Sequence, residues 1–183
     1  MNIKSLTIYC SSSNNLDPIY YEISKQMIHV IAKYDYSIVY GGGQVGIMGV
    51  VAKKSLQLGL HVTGIVPKFL ASKENMYKDI NDLRVVKNMN QRKKILFELG
   101  DAFIAFPGGT GTMEEIIEII SWKVLGLHKK PVLFFNLRDF WNPLLEQFKN
   151  INENKFGNTN LQNIFKVIDT PKQFEKILNS WQK

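Results

Sequence analysis

The chain is poor in the residues that build cross-links and metal centres: its 183 residues hold one cysteine and three histidines. A lone Cys10 rules out an internal disulfide, and His29, His61 and His128 show no metal-ligand spacing. Cys10 reads as a buried residue at a strand end, the common fate of a free cysteine. Long hydrophobic runs are also missing. The longest, Ala102 to Pro107 and Val132 to Phe135, fall far short of a bilayer span. Met1-Asn2-Ile3-Lys4 leads straight into strand-like sequence rather than a signal peptide. These absences predict a cytoplasmic protein with no membrane partner. Nothing resembles a dedicated nucleic-acid module either, because the 23 basic residues behind the formal charge of +7 are scattered rather than gathered into a tail. The densest cluster, Arg92-Lys93-Lys94, reads as a solvated helix face, and the positive field would suit a small phosphorylated ligand.

What is present is an ordinary globular composition, 45% hydrophobic, in a length that fits one domain spanning residues 1–183. Short apolar runs alternate with segments of helical period. Leu6 to Cys10, Ser37 to Tyr40, His61 to Val66, Ala102 to Phe106 and Pro131 to Phe135 read as strands buried on both faces. Helices are predicted over Pro18 to Lys33 behind Asp17, Ile47 to Leu58, Gln91 to Leu99, Met113 to Leu125, Asp139 to Asn150, and Pro171 to Trp181 behind Thr170. Gly59 and Gly100 close the second and third. Such alternation predicts a Rossmann-like, doubly wound α/β fold with a mainly parallel sheet flanked by helices. The stretch from Asn150 to Lys183 carries no chemical signal and reads as closure of the sheet.

Ligands of such sheets bind at the carboxyl ends of the strands, which directs attention to the loops there. The first, Cys10-Ser11-Ser12-Ser13-Asn14-Asn15, could hydrogen-bond a phosphate or simply form a turn. The second, from Gly41 through Gly43 to Gly49, is richer in glycine than a plain turn requires and reads as backbone approached by ligand. Ser12, Gly42 and Gly43 are the candidate contacts in these two loops. Gly41-x-Gly43-x-x-Gly46 has dinucleotide spacing, but it follows the second strand, and Ile65-Val66-Pro67-Lys68 lacks the acidic residue that should answer it. No Gly-Lys-Ser or Gly-Lys-Thr follows either glycine loop, which argues against triphosphate hydrolysis.

The densest chemistry lies in Pro107-Gly108-Gly109-Thr110-Gly111-Thr112-Met113-Glu114-Glu115, between a strand and a helix. Its glycines let the main chain approach a ligand, and free amides at the helix start would face an anion with a carboxylate beside it. A structural alternative is a capping box, Thr112 with Glu115 three residues on. Glu114 could bind ligand or complement the helix dipole. On its own, Arg92 reads as a surface salt-bridge residue; paired with this segment it reads as part of a site.

Together these motifs resemble the LOG family, the cytokinin riboside 5′-monophosphate phosphoribohydrolases, whose members have often carried a mistaken "lysine decarboxylase" label. The resemblance runs from Thr7 to about Pro131 through Tyr40-Gly41-Gly42-Gly43, Gly46-Ile47-Met48-Gly49, Met89-x-x-Arg92-Lys93 and Pro107-Gly108-Gly109-x-Gly111-Thr112-x-x-Glu115. It implies hydrolysis of the N-glycosidic bond of a nucleoside 5′-monophosphate to free base and ribose 5-phosphate, with no metal or organic cofactor. It implies Arg92 and Glu115 as catalytic residues, and Glu74, Lys93, the segment Gly108 to Glu115 (Gly108, Gly109, Thr110, Gly111, Thr112, Met113, Glu114) and Ser121 as substrate contacts. Asn90-Gln91 stands where relatives often have His-Glu, and Thr110 where they often have an aromatic, departures that bear on base preference more than on reaction type. The helix after the motif, with Ile116, Ile117, Ile119, Ile120, Trp122 and Val124, is apolar over much of its circumference. It fits either the homodimer usual in the similar family or a core helix in a monomer. The alternative from another class is a nucleotide or molybdenum-cofactor carrier on the same fold, binding without turnover.

Overall fold

The structure, a computed structural model, describes residues 3–71, 76–157 and 159–182. Seven strands form one sheet: Ser5–Tyr9 (β1), Ser37–Tyr40 (β2), Val62–Pro67 (β3), Asp82–Val86 (β4), Ala102–Ala105 (β5), Val132–Phe135 (β6) and Lys166–Ile168 (β7). Their order is β4-β3-β2-β1-β5-β6-β7, and every neighbouring pair is parallel. Six α-helices connect them: Pro18–Ala32 (α1), Gly46–Gln57 (α2), Met89–Leu99 (α3), Thr110–Val124 (α4), Asn142–Glu153 (α5) and Pro171–Trp181 (α6).

Alternation along the strands divides the core into two layers. Leu6, Ile8, Ile104, Leu133 and Phe135 pack with Met27 and Ile28 of α1, Val51 of α2 and Phe174 of α6. The intervening Tyr9, Phe103, Ala105, Val132 and Phe134 pack with Leu96 of α3, Ile116 and Ile120 of α4, and Phe148 of α5. Helices thus cover both faces, which is why the central strands are fully buried.

The chain leaves β1 in one direction across the sheet and returns on its other side at β5. That reversal makes the gap beyond β1 and β5 the crevice where a ligand fits. Register there is pinned from below: the Asp101 carboxylate accepts from the Lys4 and Ser5 amides at 2.9 and 3.1 Å. Tyr9 consequently lies beside Ala105, and the loops that follow the two strands are adjacent.

Two strands are absent from the expected set, β4 and β7. Both are edges and partly exposed, and residues such as Asp82, Arg84 and Lys166 depart from the apolar run that marks a central strand. β7 closes the sheet against β6, as expected of the C-terminal part. The helix expected from Asp139 begins only at Asn142. Arg138 and Asp139 take left-handed backbone at φ 53° and 59°, and Pro143 stands in the first turn of α5.

Candidate active site

α4 opens on glycine. Gly109 is its N-cap, without a side-chain cap, so Thr110, Gly111 and Thr112 form the first turn. The helix expected from Met113 therefore starts three residues earlier, and Thr112 and Glu115 lie inside it. The capping-box reading fails here; a capping box exists instead at Thr170 and Gln173 of α6. No carbonyl lies one turn back within the helix for the amides of Thr110, Gly111 and Thr112, which leaves them to bind an anion. Gly108 must lack a side chain, since a Cβ there would come 2.1 Å from Thr112 Oγ1. Gly109 and Gly111 have nothing within 4 Å of a would-be Cβ. That open space belongs to a cleft of about 330 Å³, walled by Ser11 to Ser13, Met48, Met89, Arg92, Gly109 to Thr112 and Glu115.

The loop after β1 forms the turn its sequence allows and leaves a serine facing the cleft. Ser11 and Asn14 hold its shape: Ser11 Oγ accepts from the Ser13 amide at 3.0 Å and Asn14 Oδ1 from the Gly46 amide at 2.9 Å. Ser12 is exposed and faces the cleft. Cys10 is buried at the strand end and touches the same cleft. Burial, aided by the Glu115 carboxylate, pushes its thiol well up and keeps it protonated, so it is no nucleophile.

Arg92 projects from α3, whose N-cap Asn88 accepts from the Gln91 amide at 2.9 Å. The arginine is no surface residue, with 8% of its area exposed, and Glu115 matches it at 8%. Arg92 Nη2 lies 3.7 Å from Glu115 Oε1. Arg92 Nη1 contacts Met89 Sδ at 3.9 Å, and Nε has no partner among the described residues. A buried cation with an unused donor, in a residue that walls a cleft, is the arrangement expected where an anionic group completes the set.

The glycine loop after β2 serves this arginine more than it meets ligand directly. A Cβ on Gly41 would stand 2.5 Å from Arg92 Nη2. Gly42, at φ +80°, packs under Val66 and accepts from the Tyr77 amide at 3.0 Å, while Gly43 bridges to Met76. Gly42 and Gly43 are buried and do not line the cleft; Met48, from the helix they introduce, does.

Other candidates scatter. Lys93 Nζ lies 2.5 Å from Glu114 Oε1 and 3.0 Å from Glu118 Oε1. The Glu114 bond leads in raising its pKa above the ordinary lysine value, against the opposing effect of burial. Glu114 is thus an ion-pair partner, a role outside the two its position suggested. Met113 is 39% exposed, and Ser121 is exposed about 14 Å along the axis of α4 from Thr112. Glu74 lies outside the described residues. Sequence reasoning missed Met48 and Gly41 as parts of the site. Both stand in quoted motifs, but their contacts with Arg92 and the cleft depend on how α2 and α3 pack. Among the described residues, no group of three or more His, Cys, Asp or Glu could hold a metal ion.

A family model described as "Possible lysine decarboxylase" matches residues 48–178. The cytokinin riboside 5′-monophosphate phosphoribohydrolase of Rhodococcoides fascians is 41% identical over 143 residues, 78% of this chain and 72% of that protein. The chain belongs to the LOG family. An Arabidopsis thaliana LOG protein of the same name is 35% identical over 176 residues, covering 96% of this chain and 82% of its own. The likeness to LOG proteins therefore continues well beyond Pro131. The solved molybdenum cofactor binding protein of Rippkaea orientalis superimposes with a TM-score of 0.72 over all of both chains at 21% identity. The molybdenum cofactor carrier protein of Chlamydomonas reinhardtii gives 0.72 over 99% of each at 14%. At such identities these two share the fold alone.

Proposed function

We propose that this LOG protein hydrolyses the N-glycosidic bond of nucleoside 5′-monophosphates, cytokinin riboside 5′-monophosphate or AMP, to free base and ribose 5-phosphate. The buried Arg92–Glu115 pair beside the open first turn of α4 carries the reading. The phosphate would take the amides of Thr110 to Thr112, where the helix dipole favours negative charge. Glu115 stands three residues beyond Thr112, about 4.5 Å along the helix axis. As the bond from C1′ to the base nitrogen breaks, its electron pair leaves with the base, which takes a proton from water. The Glu115 carboxylate stabilises the oxocarbenium-like ribose and accepts a proton from the water that adds to C1′. The Arg92 guanidinium stands 3.7 Å from that carboxylate as its ion-pair partner and lines the cleft, where it meets the substrate.

The names of the relatives support this activity, and with it a role in cytokinin biosynthesis. The further parts of the proposal are one domain over the whole chain, a cytoplasmic location, no nucleic-acid or membrane partner, and a homodimer. No described helix is long and apolar enough to cross a membrane. The dimer is supported by the end of α4 and the turn after it, where Leu125 and Leu127 are 72% and 67% exposed.

Incubation with AMP and isopentenyladenosine monophosphate is expected to release free base. A carrier would instead bind nucleotide tightly, without turnover, in both wild type and Glu115→Gln.

A further inference from the structure

The site described above leaves Glu118 without a role. α3 and α4 carry two ion pairs side by side, and they differ in quality. Arg92 and Glu115 stand 3.7 Å apart, beyond hydrogen-bond distance, so that contact does not fix the guanidinium. One residue along, Lys93 reaches both Glu114 at 2.5 Å and Glu118 at 3.0 Å. Glu114 and Glu118 are four residues apart and share a face of α4, so one ammonium bridges successive turns. The Lys93 side chain is 17% exposed and that of Glu118 27%, against 51% for Glu114. Glu118 is therefore the better shielded anchor. Farther along the same two helices, Phe97 meets Trp122 edge to face at 5.0 Å. The helices are pinned by rings at one point and by Lys93 at the other, beside the cleft.

We propose that Glu118 is a positioning residue: by holding Lys93 it sets α3 against α4, and so sets Arg92 against Glu115. This rests on the phosphoribohydrolase reading of the site. Lys93 follows Arg92 directly, so a displacement of one moves the other. A displacement near 1 Å at a catalytic group is enough to cost about a hundredfold in rate. Two of the three donors of Lys93 are occupied by carboxylates, which suits a strut between helices better than a substrate ligand.

The test compares wild type, Glu118→Gln, Lys93→Met and the double variant, with AMP turnover and the NMR signal of the Arg92 Nε–H as readouts. The sequence has only three arginines, Arg84, Arg92 and Arg138, which makes that signal assignable. Glu118→Gln should lower kcat about tenfold or more with KM held within about threefold, and should shift the Arg92 signal and speed its exchange with solvent. Lys93→Met should do the same, and the double variant should be no worse than Lys93→Met alone. Glu118→Asp should fall between wild type and Glu118→Gln, and serves where the latter folds poorly. Unchanged kcat and an unchanged Arg92 signal in Glu118→Gln would overturn the proposal. So would additive losses in the double variant, or a Lys93→Met protein with raised KM and intact kcat, which would make Lys93 a phosphate ligand. If the wild type releases no base from any nucleotide, the hydrolase reading fails separately. The Arg92 signal then decides the positioning role alone: displaced in Glu118→Gln it stands, undisturbed it falls.

Discussion

Gly41 has no side chain, and the Arg92 guanidinium occupies the room a side chain would take. An alanine there would place its Cβ 2.5 Å from Nη2 and 2.9 Å from Met48 Sδ. Both clashing atoms lie toward the ends of flexible side chains, so the fold should survive while the arginine moves. Gly41→Ala is expected to lower kcat/KM by about a hundredfold with little change in Tm; equal losses in activity and stability would assign the glycine to folding instead. The residues forming the pair were legible in sequence because two separated motifs matched one family. The service of Gly41 to Arg92 was not, since it depends on β2 and α3 meeting in space. Nor was the engagement of Lys93 by Glu114 and Glu118, because a cross-helix contact leaves no mark on local spacing.

Elements were legible where burial on both faces makes a strand apolar throughout, as in β5 and β6, and obscured where charged residues interrupt the apolar run, as in β4 and β7. The start of α4 was misplaced for a reason that matters to function. Glycine and threonine near a helix start favour turns, yet here they form the first turn, presenting amides rather than side chains. Farther along, α4 is tied to the segment before β6 by a neutral histidine. His128 Nε2 meets the Ile119 carbonyl at 2.9 Å, and Nδ1 accepts from the Lys130 amide at 3.2 Å. A second ring proton would oppose that amide. Burial lowers the His128 pKa, opposed by the hydrogen bond to Ile119 and reinforced by Lys123 and Lys130. With the native value depressed, its contribution to stability is present above the unfolded value of about 6.5 and is lost as pH falls below it. The midpoint of urea unfolding should therefore drop between pH 7.5 and 5.5 more in wild type than in His128→Leu; equal slopes would contradict the assignment.

At the scale of the molecule, strand order does the decisive work. The reversal at β1 and β5 brings Ser12, Arg92, the first turn of α4 and Glu115 around one cleft, although they are spread over a hundred residues of sequence. The alternation of strands and helices announced this fold, but edge strands and inter-helix contacts required the folded chain. The exposed Leu125 and Leu127 lie away from the cleft. Replacing both by glutamate should convert a dimer to monomer in sedimentation, and a wild type that sediments as a monomer would contradict the dimer. The chemistry at the cleft is read from its products. Wild type given AMP should yield adenine and ribose 5-phosphate in equal amounts, while folded Arg92→Ala and Glu115→Gln should each be slower by about a hundredfold or more. No base released by wild type from any nucleoside monophosphate at high enzyme concentration, or undiminished release by Glu115→Gln, would contradict it.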